Sequence, residues 1–143
     1  MERLVRRGGD RRLRIELLTQ TRLISDGKLV KPDGFTFAVL VARLLERLTS
    51  LVGRYGAVRA PFDIGELTRA AAHVRVVDGA LGWRELFRAS GRHQRMLPMS
   101  GLMGSLVVQG DLRPFLPWLV WGTFTQVGKD AAMGNGMFRL EPA

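Results

Sequence analysis

The sequence predicts an α+β domain in which a four-stranded antiparallel sheet carries two main helices on one face. Three observations predict it. Apolar positions alternate near the start, the middle and the end of the chain, and two longer stretches between them have helical spacing. The chain has 143 residues, which is the length of one domain. Its hydrophobic residues, 46% of the total, suffice for a core without disulfides or metal.

The domain begins with a strand and continues with a long helix. Residues 12–17 alternate polar and apolar side chains, as in a half-buried strand, and we expect the strand to run on through Leu18 to Leu23. From residue 35 to 55, apolar side chains recur every three to four positions, which is typical of an amphipathic helix. Arg43 and Glu46 lie on its polar side, close enough for a surface ion pair.

Two further helices follow. Residues 61–72 predict a short helix, with Asp63 as its N-cap and Glu66 at the capping-box spacing. A third helix follows Asp111, which we expect to cap it, and ends near Gln126.

The remaining strands complete the sheet. Residues 74–77 have strand character, and we expect residues 83–90 to pair with 101–109 as a long hairpin whose tip is 91–100. Residues 137–140 are the last strand. The order β, α, short α, β, β, α, β is that of a ferredoxin-like domain, the arrangement that RNA-recognition motifs also use.

The charge of the chain indicates its class of partner. It has 22 basic and 13 acidic residues, a net charge of +9, and 19 of the basic residues are arginines. This excess favours a polyanion, most simply nucleic acid. We interpret residues 1–11 as a basic flexible arm, either a solvated tail or a nucleic-acid contact, in front of a single domain at 12–143.

The composition also excludes several classes. No cysteine is present, which excludes disulfide frameworks and thiolate metal sites and fits a reducing compartment, so we expect a cytoplasmic protein. The most apolar stretch, residues 115–127, is shorter than the ~20 residues of a membrane span.

A glycine-rich loop before the last strand is the first candidate site. Its candidate RNA-binding residues are Gly128, Lys129, Gly134, Asn135 and Gly136. Backbone amides beside glycines can hold a phosphate oxygen, and the lysine adds a positive charge. The loop is neither a Walker A loop nor a dinucleotide fingerprint, because no helix follows the glycines. The alternative is a tight helix-to-strand connection in which glycines allow positive φ.

The basic hairpin is the second candidate site. Its candidate RNA-binding residues are Arg84, Arg88, Ser90, Arg92, His93 and Arg95. A continuous strand would place the first three arginines, four positions apart, on one face. Arginine forks suit phosphate contacts, whereas the alternative is a solvated basic surface.

His93 is the one candidate catalytic residue. A neutral histidine beside a phosphate can take a proton from a ribose 2′-OH, although contact with RNA is the commoner role of a histidine in a basic loop. Neither histidine has a second ligand at metal-binding spacing.

Aromatic stacking on RNA has little support in the sequence. Trp83 and Phe87 are the aromatic residues that could face RNA, but we expect both to be buried. We expect Phe115, Trp118, Trp121 and Phe124 of the third helix to lie in the core.

Three segments, in this order and spacing, carry a resemblance to a known family. They are residues 88–104, residues 110–117 and the loop 127–136. Together they resemble the C-terminal domain of the CRISPR repeat-RNA processing endoribonucleases, within the RAMP superfamily. The first strand and helix agree, so the resemblance covers about residues 12–141. The resembled loop frequently begins with a glycine two residues before Gly128, where this chain has Gln126.

The resemblance implies a prokaryotic antiviral-defence protein that binds CRISPR repeat RNA. The family's enzymes hold two ferredoxin-like domains in tandem, of which this chain resembles the second. They cleave without metal or cofactor, by attack of a 2′-OH on the adjacent phosphodiester. Their catalytic residues, commonly a histidine with tyrosine or lysine helpers, lie in or beside the first domain. We therefore expect RNA backbone binding here, with Arg92 and Lys129 as candidate cations.

The implied protein partners are an N-terminal ferredoxin-like domain, other CRISPR effector proteins or a second copy of the chain. Two alternative functions stay open. One is a self-sufficient or dimeric nuclease that uses His93 as its base. The other is a non-catalytic protein-interaction module whose basic charge is incidental. A domain that packs on a sister domain is expected to expose an apolar patch.

Overall fold

The computed structural model describes residues 10–55, 61–89 and 96–143. In chain order the elements are β1 (Arg11–Thr21), β2 (Ile24–Ser25), β3 (Lys28–Leu29), α1 (Phe37–Tyr55), α2 (Ile64–Ala71), β4 (Arg75–Arg84), β5 (Phe87–Ala89), β6 (Met96–Pro98), β7 (Gly101–Gly110), α3 (Leu116–Thr125) and β8 (Phe138–Pro142). Single-turn 3₁₀ helices cover Pro32–Gly34 and Ala131–Met133. Nearly all of the predicted basic arm lies outside the described residues.

The main sheet has four strands in the order β4-β7-β1-β8, and all of its pairs are antiparallel. β1 therefore lies inside the sheet, between β7 and β8. This order with two main helices is the predicted ferredoxin-like α+β fold, which is confirmed. In the described ranges, no helix combines the length and apolar character that crossing a membrane requires.

The core lies between one face of this sheet and the helices. Leu13, Ile15 and Leu17 of β1 are buried there, two residues apart, as one face of a strand requires. Phe37 of α1 contacts Phe115 edge to face, with ring centroids 5.3 Å apart. The helices and the inward side chains of the sheet form one hydrophobic cluster.

The predicted hairpin is wrong in its extent. The partner of β7 begins at Arg75, so that only its last two residues, Trp83 and Arg84, fall in the predicted strand. Glu85 then leaves the sheet, because its carboxylate accepts hydrogen bonds from the Trp83 indole at 3.0 Å and the Ser100 hydroxyl at 2.8 Å. β5 and β6 form a separate two-stranded ribbon inside what was expected to be one strand and its tip.

One predicted helix cap is present and one is not. Asp63 accepts a hydrogen bond from the Glu66 amide at 3.0 Å, as a capping box requires. Asp111 does not cap α3, which begins at Leu116 without a side-chain cap. Asp111 instead accepts hydrogen bonds from Arg113, whose guanidinium lowers the pKa of that carboxyl. The predicted pair between α1 side chains is present at 3.0 Å.

The aromatic side chains differ most from expectation. Phe115 is buried as expected, but Trp121 is 59% and Phe124 78% exposed on the outer side of α3. The inner side of that helix is formed by smaller residues such as Leu119. Phe87 is 53% exposed, so its predicted burial is wrong as well.

Candidate nucleic-acid interface

The glycine-rich loop is bound by its backbone to the end of β1. The Lys129 amide donates to the Arg22 carbonyl at 2.8 Å, and the Gly136 amide donates to the Gln20 carbonyl at 3.0 Å. The Val127 amide closes the loop by donating to the Gly136 carbonyl at 3.1 Å. Because these three amides already donate to backbone carbonyls, they are not available to bind a phosphate.

Two glycines are required by close approach of the backbone. Gly136 has φ +77°, and a Cβ there would lie 1.8 Å from the Val127 carbonyl oxygen. Gly128 has φ +89°, and a Cβ there would lie 2.4 Å from the Arg22 carbonyl oxygen. Only glycine fits such positions, because a side chain would clash with backbone that cannot move aside.

Arg22 is the buried charge that holds the loop, and it is not among the site residues predicted from the sequence. Its side chain is 4% exposed. Its Nη1 donates to the Ser100 carbonyl at 2.6 Å, and its Nε lies 3.4 Å from Asp130 Oδ2. The available signal was an arginine inside the predicted first strand, next to Leu23 and Ile24, since such a charge is buried only when it is paired.

Beyond this framework lies a basic opening, which we call the α1 cleft. It has a volume of about 320 Å³, and it is lined by Ile24, Arg43, Glu46, Arg47, Ser50, Gly128 and Lys129. Three cationic side chains thus meet one carboxylate, that of Glu46, which pairs with Arg43 at 3.0 Å.

The remaining two cations of the α1 cleft are available to a ligand. The Arg47 Nε donates to the Thr125 carbonyl at 3.2 Å, which fixes the guanidinium while no contact with a described residue occupies its terminal amino groups. Lys129 is exposed and pairs with no acidic side chain in the described ranges. Arg47 and Lys129 therefore provide an unneutralised positive patch.

A second opening, which we call the β5 cleft, lies at the other end of the loop. It has a volume of about 560 Å³, and it is lined by Thr19, Gln20, Leu86, Phe87, Met99, Met133, Gly134 and Asn135. Phe87 and Met133 are exposed, whereas Gln20 and Asn135 are buried in its wall. This cleft brings the loop next to β5, so that parts of both predicted sites meet there.

The structure locates some of the predicted hairpin residues. Arg84 is exposed at the end of β4, and Arg88 lies in β5, on the other side of the break at Glu85. The continuous strand that would align these arginines on one face is therefore absent. The residues outside the described ranges are Ser90, Arg92, His93 and Arg95. Within the described ranges, no group of three acidic or histidine side chains could hold a metal ion.

Sequence comparison adds a family to this geometry. The family model of the CRISPR-associated endoribonuclease Cas6 matches residues 15–138. The search of curated proteins returned no match.

Comparison with solved structures finds the same fold in Cas6 proteins. Thermus thermophilus Cas6 matches with a TM-score of 0.63 and 15% identity, over 94% of this chain and 55% of that one. A Cas6 product complex matches with a TM-score of 0.58 and 20% identity, over 98% of this chain and 55% of that one. A partial Cas6-RT-Cas1–Cas2 complex matches with a TM-score of 0.67 and 13% identity, over 93% of this chain and 22% of that one.

The chain thus spans about half, or less, of the length of the chains that it matches in structure. The match to the family model nevertheless covers most of this chain. It includes the glycine-rich loop, which lines both clefts. The chain therefore belongs to the Cas6 family of CRISPR-associated endoribonucleases.

Proposed function

We propose that this chain binds the backbone of CRISPR repeat RNA, as the part of a Cas6 endoribonuclease that corresponds to its C-terminal ferredoxin-like domain. The observation that carries the proposal is the α1 cleft, where Arg47 and Lys129 lie together beside the glycine-rich loop. A phosphate placed there meets a guanidinium held at its Nε and an exposed ammonium, and the carboxylate that lines the cleft, that of Glu46, is already paired with Arg43.

The hairpin arginines add to the positive charge of the chain. Arg84 is exposed, and Arg88, Arg92 and Arg95 follow it in the sequence. Together with the net charge of +9, they favour a ligand that carries many phosphates rather than one. RNA would then be held at the loop and at the hairpin.

Cleavage, in this proposal, belongs to the longer protein. Attack of a ribose 2′-OH on the adjacent phosphodiester needs a base for the hydroxyl proton, an acid for the departing 5′-oxygen and a cation for the developing charge. The described residues of the α1 cleft provide cations but neither a histidine nor a free carboxylate. His93 is the base in the alternative, a dimeric or self-sufficient nuclease.

The test is a salt series of binding to a labelled CRISPR repeat RNA from the source genome, with a chelator present. We expect log K to fall linearly with log salt concentration, because each phosphate contact releases counterions. Arg47→Ala and Lys129→Ala should each reduce the magnitude of that slope by about 0.7–0.9. Arg69→Ala is the matched control, since Arg69 is an exposed arginine on α2 outside both clefts.

An equal loss of slope for Arg69→Ala and Arg47→Ala would contradict the proposal, because the charge effect would then be general. Cleavage of the RNA in the same samples, abolished by His93→Ala, would favour the nuclease alternative instead.

A protein-docking function is the second candidate, and the exposed pair Trp121 and Phe124 favours it. Two large aromatic side chains one helical turn apart form an apolar patch of the kind that marks protein contacts. Their occupant would be an N-terminal ferredoxin-like domain, another CRISPR protein or a second copy. Absence of RNA binding even at low salt would leave this function as the better account of the chain.

A further inference from the structure

The β5 cleft contains two buried side chains with unused hydrogen-bonding capacity. Gln20 is 8% and Asn135 4% exposed, and within the described ranges neither carboxamide hydrogen-bonds to another residue. The Asn135 Nδ2 atom is fully buried and has no hydrogen-bond partner in the part of the chain that the structure describes. Fully buried polar atoms are normally satisfied, so the Asn135 Nδ2 atom calls for an explanation by a ligand. The carboxamide of Gln20 lines the same cleft and offers a second hydrogen-bonding group.

The same cleft is also lined by accessible apolar side chains. Phe87 is 53%, Met133 47% and Leu86 40% exposed. Large apolar side chains of a folded domain are seldom left in water together around one concavity. The volume of about 560 Å³ lies within the ~300–1,000 Å³ typical of small-molecule sites.

We propose that the β5 cleft binds one unstacked nucleobase of the RNA. A base has a flat face that stacks on an aromatic ring and an edge of hydrogen-bond donors and acceptors. Phe87 meets the first requirement, and the carboxamides of Gln20 and Asn135 meet the second. The proposal rests on the proposed RNA-binding function and adds a site that distinguishes bases.

The surroundings favour a base over an apolar side chain from a protein. An apolar occupant would cover the two carboxamides without bonding to them, which leaves both unsatisfied. A base bonds to them through its edge. Residues Met133 to Asn135 of the glycine-rich loop line this cleft, and Lys129 of the same loop lines the α1 cleft, so that one loop joins a cation for the phosphates to a site for a base.

The experiment compares two probes with equal numbers of phosphates, octauridylate and an abasic ribose-phosphate octamer. The wild-type chain should bind octauridylate roughly tenfold more tightly, which is the effect of stacking one base. Phe87→Ala should remove most of that ratio while leaving the salt dependence unchanged. Trp121→Ala is the matched control, because it truncates an exposed aromatic residue outside the cleft and should keep the ratio.

Gln20→Leu tests the carboxamides separately. It keeps the stacking wall, so the ratio between octauridylate and the abasic octamer should largely persist. The affinities for octamers of uridine, adenosine and cytidine should converge, because the edge of the base is no longer read. Thermal melting of each variant establishes that it is folded before its binding is compared.

The outcomes separate this proposal from the function it rests on. Binding of neither probe overturns both. Equal binding of the two probes with a normal salt slope overturns the base site and leaves backbone binding standing. A ratio that Phe87→Ala does not change, or that Trp121→Ala lowers equally, also overturns the base site. Homopolymer affinities that stay apart in Gln20→Leu overturn the role of the carboxamides.

Discussion

The glycine-rich loop and the helical wall of the α1 cleft face the same opening, yet their residues have different tasks. Backbone amides of the loop donate hydrogen bonds within the protein, to the carbonyls of Gln20 and Arg22. The helical wall presents Arg47, whose guanidinium is held at one nitrogen only. The loop is thus a framework, and Lys129 is its one cationic side chain.

This difference corrects the interpretation that a glycine motif by itself suggests. Glycines beside a lysine predict a phosphate cradle from the sequence, but here two of them are explained by backbone contacts alone. Framework variants should therefore change the free energy of unfolding, and cleft variants should change the salt dependence of binding. The following predictions test that separation.

Gly136→Ala should have the largest effect. Its Cβ would lie 1.8 Å from the Val127 carbonyl oxygen at a φ of +77°, so the loop must open. We expect a loss of about 4 kcal/mol or more in the free energy of unfolding, as for other variants at strained backbone positions. Urea denaturation measures it.

Gly134→Ala is the matched control in the same loop. Gly134 has φ +94°, but a Cβ there would meet no atom within 4 Å. Only the backbone strain remains, about 1–2 kcal/mol. Similar losses in the two variants would contradict the view that close backbone approach fixes the loop.

Arg22→Met should have the second largest effect on the free energy of unfolding. It tests whether Arg22 belongs to the framework, in contrast to Arg47 of the α1 cleft. The variant leaves the Ser100 carbonyl without its donor and Asp130 without its ion pair. We expect a loss of about 2–3 kcal/mol, somewhat below that of a fully buried pair because Asp130 is 24% exposed. Its RNA-binding slope should match that of the wild type.

The control for Arg22→Met is Arg113→Met. Arg113 pairs with Asp111 on the surface, with both side chains 53% exposed, so its removal should not change the melting temperature measurably. If Arg22→Met instead altered the salt slope and left stability unchanged, Arg22 would belong to the interface and not to the framework.

The sequence predicted what depends on neighbours along the chain. The periodicity of β1 and α1 and the cap at Asp63 are local, and each is present in the structure. The hairpin break was not predictable, because it depends on a bond between Glu85 and Ser100, which come together only in the folded chain.

The candidate site was harder to predict for the same reason. Arg43 and Arg47 are far from Lys129 in sequence, and only the packing of α1 beside the loop forms the cleft. The exposed faces of α3 were missed because that helix is apolar nearly all round. Its sequence therefore has no polar side that would show which residues, Trp121 and Phe124 among them, face water.

Substitution of Gln126 by glycine has the smallest predicted effect on the free energy of unfolding, and it is the one substitution that should raise this free energy. Gln126 follows α3 with φ +65° and ψ 174°, a region that is essentially restricted to glycine. The resembled family loop frequently has a glycine at this position, and the backbone here still adopts the geometry that a glycine would adopt. Gln126→Gly should therefore relieve strain and, after the entropic cost of a glycine, raise the free energy of unfolding by about 1 kcal/mol.

Gln126→Ala distinguishes relief of strain from loss of the glutamine side chain. Alanine keeps the Cβ and therefore the backbone strain, so the free energy of unfolding of this variant should stay near that of the wild type. A gain in stability equal to that of Gln126→Gly would mean that the glutamine side chain, and not the backbone, is destabilising. The slope of RNA binding should be unchanged in both variants, because this end of the loop contributes shape and Lys129 contributes charge. A stabilised loop with a weakened salt slope would mean that the strain at Gln126 positions Lys129, and the separation between framework and interface would then fail at this residue.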